Sequence, residues 1–247
     1  MTEGRCAQHP DGLDVQDVCD PDDPRLDDFR DLNSIDRRPD LPTGKALVIA
    51  EGVLVVQRML ASRFTPLALL AAARRVPEPS VAQVVAGART VAVLEGVNDH
   101  ENLGSIFRNA AGLSVDAVVF GTGCADPLYR RAVRVSMGHA LLVPYARAAD
   151  WPTELMTLKE SGFRLLAMTP HGNACKLPEA IAAVSHERIA LLVGAEGPGL
   201  TAAALRISDV RVRIPMSRGT DSLNVATAAA LAFYERTRSG HHIGPGT

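Results

Sequence analysis

Aromatic side chains are scarce in this sequence, at 4% of 247 residues with a single Trp. A core without rings has to be filled by Ala, Val and Leu, and a hydrophobic content of 47% suffices for a sizeable one. Long apolar runs are missing too. None approaches the roughly 20 residues of a bilayer span, and the chain does not open on the basic-then-apolar pattern of a secretory signal, so no membrane association is expected. The four cysteines, Cys6, Cys19, Cys124 and Cys175, show neither CxxC nor zinc spacing. The expectation is a reduced, cytoplasmic protein with no metal site. Neither an internal repeat nor a low-complexity segment is present.

A strong net charge is also absent, since the formal value is −2. That balance conceals an asymmetry. Residues 1–40 carry twelve acidic and five basic side chains, and residues 41–247 carry sixteen and twenty-one. An acidic leader with several prolines therefore precedes a mildly basic body. Such a body suits a partner with a phosphate backbone, although most surface charge only solvates.

Beyond the leader, "GKALVIAEGVLVVQRMLAS" has order. Ala46–Ala50 reads as a strand, and Glu51–Ser62 has helical period, with Val55, Met59 and Leu60 on one face. "RRVPEPSVAQV" reads as a linker. Then short Val-rich strands alternate with helices. Strands are predicted at Val91–Leu94, Ala117–Phe120, Leu141–Val143, Arg164–Ala167, Ile189–Val193 and Val210–Ile214. Helices are predicted near Leu103–Ala111, Leu128–Val135, Thr153–Ser161 and Thr201–Leu205, and from Ser222 onward. Continuous apolar strands alternating with helices indicate an α/β fold with a mostly parallel sheet. Ligands of such sheets sit at the carboxyl ends of the strands, and three of those ends are unusual here.

The first is "VLEGVNDHENLGSIFRNAAGL", where a strand ends at Glu95 and a helix begins around Asn102. Asn102, Ser105 and Asn109 share helical spacing, and Arg108 lies among Ile106, Phe107 and Ala110, which predicts a partly buried guanidinium. Its stem covers apolar surface on one reading, and it serves a site on the other. The second is "IALLVGAEGPGLT". Its glycines allow sharp turns and a close approach of ligand to main chain. It is neither GxGxxG nor a Walker loop, because Pro198 intrudes and no Gly-Lys-Ser/Thr follows. Glu196 repels phosphate and suits a neutral or cationic ligand, or pairing with an Arg. The third is "IPMSRGTDSLNVATAAAL", in which Asp221 or Ser222 is placed to cap the final helix. A cap at either residue leaves Asn224, a poor helix former, unexplained.

Together the three stretches resemble the motifs of the SpoU/TrmH-type RNA 2′-O-ribose methyltransferases of the SPOUT superfamily. Asn102 and Arg108, then Glu196, then Ser222 and Asn224 stand in the family's order over roughly residues 88–238. "GKALVIAEGVLVVQRML" resembles the start of an L30e-like RNA-binding domain. The resemblance implies an acidic arm at 1–40, a partial L30e-like substrate-binding domain at 41–76, a linker at 77–87, a methyltransferase domain with a C-terminal deep trefoil knot at 88–238, and a tail at 239–247. It implies S-adenosylmethionine (AdoMet) as methyl donor and S-adenosylhomocysteine as product, without a metal. The implied partners are RNA, ribosomal in preference to transfer RNA, and a second copy in an obligate homodimer.

By the same resemblance, Arg108 lies nearest the 2′-hydroxyl, Asn102 orients Arg108 or the ribose, Glu196 pairs with a nearby donor, and Ser222 and Asn224 bind cofactor or ribose. Thr169, Gly194, Gly199, Ile214, Met216, Leu223 and Asn224 would line the cofactor pocket. Arg130, Arg131 and Arg134 are either RNA contacts or a solvated face, and His171 is more readily a surface loop residue. Two rivals stand beside this reading: a non-catalytic knotted RNA-binding protein involved in ribosome assembly, and a dinucleotide-dependent oxidoreductase. The L30e-like domain of the family carries several more strands than this chain, where Leu70 runs directly into "AAARRVPEP". Either the domain is cut down or a stretch between about Leu70 and Ala71 is absent. A remnant that short could hardly bury a core of its own.

Overall fold

Val91–Leu94 is wholly buried because it runs down the middle of a sheet covered on both faces. That position explains why the stretch is continuously apolar and shows no alternation. The structure is a computed structural model that describes residues 23–29, 47–50, 53–68, 72–217 and 222–239. In chain order the elements are β1 (Leu47–Ile49), α1 (Val53–Leu60), β2 (Thr65–Ala68), β3 (Ala72–Arg74), α2 (Val81–Val85), β4 (Thr90–Glu95), α3 (His100–Gly112), β5 (Ala117–Phe120) and α4 (Arg130–Val135). A 3-10 turn at His139–Leu141 precedes β6 (Tyr145–Arg147), α5 (Glu154–Glu160), β7 (Phe163–Met168), β8 (Cys175–Lys176), α6 (Leu177–Ala183), β9 (Arg188–Gly194), α7 (Ala202–Ile207), β10 (Val210–Arg213) and α8 (Val225–Ser239).

Seven strands form one sheet in the order β6-β5-β4-β9-β7-β10-β8. Every pairing in it is parallel. Side chains alternate across β4, so Ala92 and Leu94 join one core with α3, α4, α6 and α8, while Val91 and Val93 join a second with α2, α5 and α7. β4 and β9 are neighbours in register, with Glu95 opposite Gly194. Chain order runs outward from β4 on one side and departs from it on the other, which makes the carboxyl ends of β4 and β9 the switch point.

Three sequence-based expectations need correction. Leu141–Val143 is not a strand; its start belongs to a 3-10 turn, and the ladder begins only at the Pro144 carbonyl, which accepts from the Val118 N–H. A buried apolar triplet reads alike in either conformation. The stretch 77–87 is not a plain linker, because Ser80 and Gln83 form a capping box that starts α2, and Val81 and Val85 are buried. Helix α6 and the short β8 were not anticipated.

The three-stranded antiparallel sheet β1-β3-β2 does not bury a core by itself. Val48, Ala50, Val55, Met59 and Phe64 belong to the same buried cluster as Ala140, Leu141 and Tyr145. The short module thus completes its core against the larger one, which resolves the difficulty its length raised. The Arg75–Asp126 ion pair, at 2.6 Å and largely buried, spans the same junction. Residues 69–71 lie outside the described residues, as do Cys6, Cys19, Asp221, Ala46 and most of the acidic leader. Among the described residues no helix is long and apolar enough to cross a membrane.

Candidate functional site

The Asp99 carboxylate accepts from the backbone N–H groups of Glu101 and Asn102, at 2.9 and 2.8 Å. It caps α3, so the helix begins at His100, two residues earlier than anticipated. The aspartate of "NDHEN" was the available signal. This start places Asn102 in the first turn, facing α8.

Asn224 faces it from the other side and performs two tasks. Its Oδ1 accepts from the N–H groups of Ala226 and Thr227, at 3.0 and 3.2 Å, which makes Asn224 the cap of α8 in place of Asp221 or Ser222. Its Nδ2 group donates to Asn102 Oδ1 at 2.7 Å and to Glu196 Oε1 at 2.8 Å. A helix N-terminus thus spends its acceptor on its own first turn and both amide protons on the other two motifs. Asn102, Glu196 and Asn224 come from positions 28 and 122 residues apart along the chain, counted from Asn224. Glu196 thus meets a nearby donor in Asn224, and Asn102 bonds to Asn224, with no bond between Asn102 and Arg108 among the described residues.

Behind this cluster lies a cleft of about 410 Å³ at the carboxyl ends of β7, β9 and β10. Thr169, Gly194, Gly199, Ile214, Met216, Leu223 and Asn224, all anticipated for a cofactor pocket, line it. Glu196 and Ser222 are on its wall as well. Gly194 cannot carry a side chain, because a Cβ there would lie 2.2 Å from the Gly199 carbonyl carbon. The loop 195–199 folds back so closely that its Gly199 N–H donates to the Ala195 carbonyl at 2.9 Å. Met168, Val193, Ile214, Met216, Leu223 and Val225 supply apolar wall, glycines leave main chain open to the cleft, and Thr169, Glu196, Ser222 and Asn224 add polar groups.

Glu95 fixes that loop from beneath. It is 3% exposed, and its carboxylate accepts from Thr201 N–H and Oγ1, both at 2.9 Å, and from the Trp151 indole N–H. Thr201 in turn caps α7. A carboxylate ending an otherwise apolar strand was visible in the sequence, but its partners, 56 and 106 residues away, were not.

Arg108 departs from expectation. It is exposed, not partly buried, and it does not line the cleft. Six residues beyond Asn102 it is displaced by about 9 Å along the helix axis and two-thirds of a turn around it. It falls on a solvent stripe with Glu101 and Gly112, while Asn109, on the Asn102 face, donates to the Ala226 carbonyl at 3.2 Å. Arg108 has no hydrogen-bond or ion-pair partner among the described residues. Of the other basic candidates, Arg131 is exposed and paired with Glu101, and His171 is an exposed loop residue. No group of three metal-ligating side chains occurs among the described residues.

An uncharacterized tRNA/rRNA methyltransferase of Mycobacterium bovis is 86% identical over an alignment of 288 positions that covers all of both chains. That alignment is longer than the 247 residues here, so the relative carries positions without a counterpart in this chain. The 23S rRNA (guanosine(2553)-2′-O)-methyltransferase RlmP of Bacillus subtilis is 33% identical over 67% of this chain and 63% of its own. The fold matches that of an AdoMet-bound rRNA methyltransferase from Sinorhizobium meliloti, with a TM-score of 0.75 at 20% identity over 91% of this chain and 98% of that one. The profile of the SpoU rRNA Methylase family matches residues 89–234, which hold every residue discussed above for the site. The chain belongs to that family and is an RNA methyltransferase of the SpoU/TrmH type.

Proposed function

We propose that the protein transfers a methyl group from AdoMet to a ribose 2′-hydroxyl, in ribosomal rather than transfer RNA. The observation that carries this reading is the hydrogen-bonded meeting of Asn102, Glu196 and Asn224 at the mouth of the cleft. The cleft fits the donor in size and chemistry. Its volume of about 410 Å³ lies in the range of small-molecule sites. Its apolar side chains suit an adenine, its main-chain groups suit a ribose, and Glu196, its one carboxylate among the described residues, favours a cation over a phosphate.

AdoMet, when bound, supplies an electrophilic methyl group on a positively charged sulfur. The chain's own task is to align the attacking oxygen and ease the loss of its proton to solvent water. Asn224 holds the Glu196 carboxylate in one orientation. Ser222, exposed on the cleft wall, offers a hydroxyl to cofactor or ribose. Arg108, permanently charged, cannot take up the proton and serves to hold an adjacent phosphate and stabilise the developing alkoxide.

The position of Arg108 supports a homodimer. α8, packed against α3, presents Thr227, Leu231, Tyr234 and Arg238 to solvent, and Leu231 and Tyr234 are 40% and 52% exposed. A second copy docked on this face would cover those apolar side chains and bring Arg108 to its partner's cleft. The placement of β10 between β7 and β8 supports the knot proposed for 88–238. The three-stranded module supports the partial L30e-like domain at 41–76, and the 1–40 arm and 239–247 tail remain assignments by resemblance. A cytoplasmic location follows from an RNA substrate.

Methyl transfer from labelled AdoMet to RNA of cells lacking the protein, followed by mapping of 2′-O-methylated nucleotides, tests the reading. Label at a defined ribose of ribosomal RNA is expected. Label on a base, or binding of AdoMet without transfer to any RNA, would overturn it.

A further inference from the structure

Helix α1 of the small module lies directly on the turn that precedes β6. A side chain on Gly138 would meet Val55 Cα and Arg58 Cβ, each 3.2 Å from its Cβ, and Gly138 adopts a φ of +83°. Arg58 Nη1 donates to the carbonyl of Met137, itself left-handed at a φ of +54°. The guanidinium is thereby fixed at the turn, and its other donors meet no acceptor among the described residues. The next residue but one along the turn is His139. Its imidazole is held below the ordinary histidine range by burial first, and then by the positive charges of Arg58 and Arg108. Arg108 stands on α3, which packs against the same turn.

Arg58 is thus held at the turn by its bond to Met137, α3 with Arg108 packs against the same turn, both cations act on the imidazole between them, and no carboxylate among the described residues is paired with any of the three. Like charges brought together without a counter-ion destabilise the free protein. The arrangement becomes favourable when an anion enters between them. Guanidinium forks match phosphate oxygens in geometry, and a neutral imidazole adds an N–H donor.

We propose that Arg58, His139 and Arg108 form one binding site for a phosphate of the RNA substrate. The small module then contributes a direct contact beside the reacting nucleotide. This rests on the RNA methyltransferase reading above, and it adds to Arg108 two partners that lie outside the three motifs.

The test is binding of ribosomal RNA from cells lacking the protein, measured across a salt series. R58Q should bind about tenfold more weakly at low salt, with the salt slope reduced by about one. R58K, which keeps the charge, should stay near wild type, and AdoMet affinity by calorimetry should be unchanged in both. R58Q should cost little further affinity in an R108A background, because both residues hold one phosphate. Wild-type affinity and slope in R58Q would overturn the site. So would equal losses in R58Q and R58K, or additive losses with R108A, since those report only the docking of α1. A wild-type protein that binds RNA with these slopes but transfers no methyl would sink the functional reading and leave the site standing.

Discussion

The two ends of the seven-stranded sheet use the same residue types for opposite purposes. At the amino ends several prominent charges are spent largely on main chain. Arg188 donates to the carbonyls of Ala88, Ser161 and Val85, and its guanidinium stacks on Phe163 at 4.2 Å. Arg236, 6% exposed at the far end of α8, reaches Thr90 Oγ1 and the carbonyls of Val184, Ser185 and Glu187. Asp116 accepts from the N–H groups of Arg89 and Thr90, both at 2.8 Å. At the carboxyl ends Glu196 is exposed and, among the described residues, bound only by Asn224, and Ser222 is exposed; Arg108, farther along α3, has no partner among the described residues. Charge that is satisfied by the backbone holds the fold, and charge left facing a cleft or solvent is available to a ligand.

The comparison is tested most sharply by one arginine of each kind, unpartnered Arg108 and main-chain-bound Arg236. R108A should lower methyl transfer about 10²–10³-fold, the usual loss when a group that stabilises a developing oxyanion is removed. Its melting temperature and its AdoMet affinity should stay at wild-type values. Near-normal turnover would place Arg108 with the solvated charges. R236M should do the reverse. It strands the hydroxyl and three carbonyls that the guanidinium bridges, at a cost of about 3 kcal/mol, which lowers the melting temperature by about 6–12 °C. Activity per folded molecule at low temperature should be unchanged. A fall in activity without a fall in stability would erase the distinction between the two ends.

N224A takes an intermediate place, because Asn224 is at once a cap and a site residue. Loss of the cap costs about 1 kcal/mol, and release of Glu196 and Asn102 should weaken AdoMet binding about tenfold. Calorimetry separates the two, since a pure cap would alter stability and leave cofactor affinity intact.

How far the sequence disclosed this division depends on the range of the interactions. β4, β5 and β9 were legible because burial on both faces writes an unbroken apolar run. The carboxyl ends were legible because glycines and uncharged polar residues are out of place after such runs, and every residue expected for the cofactor pocket lines one cleft. The β6 position was misread because an apolar triplet before Pro144 has no period. Asn224 was misread as standing after a cap, since a cap that also bonds 28 and 122 residues away leaves only its local half in the sequence. Arg108 was expected to be partly buried from its neighbours in sequence. Its exposure follows from helix phase relative to α4 and α8, which no local window contains. The charges at the amino ends were invisible for the same reason, as Arg236 and Thr90 lie 146 residues apart.

The smallest effect concerns Asp209, at the amino end beside β10. Burial alone would raise its pKa, but the N–H of Leu165, at 2.8 Å, and Lys159, also at 2.8 Å, outweigh that and hold the carboxyl below its ordinary value. A group whose pKa is depressed by folding stabilises the native state above its unfolded pKa, about 3.9. That contribution fades as pH falls through the unfolded value toward the folded one. D209N should therefore be less stable than wild type at neutral pH, by about 1 kcal/mol, with methyl transfer per folded molecule intact. The gap between the two should narrow as pH falls below about 4. Denaturant melts at neutral and acid pH read the gap directly. A constant gap would mean that Asp209 acts through shape and not charge, and the amino end would then be held by packing more than by ions bound to main chain.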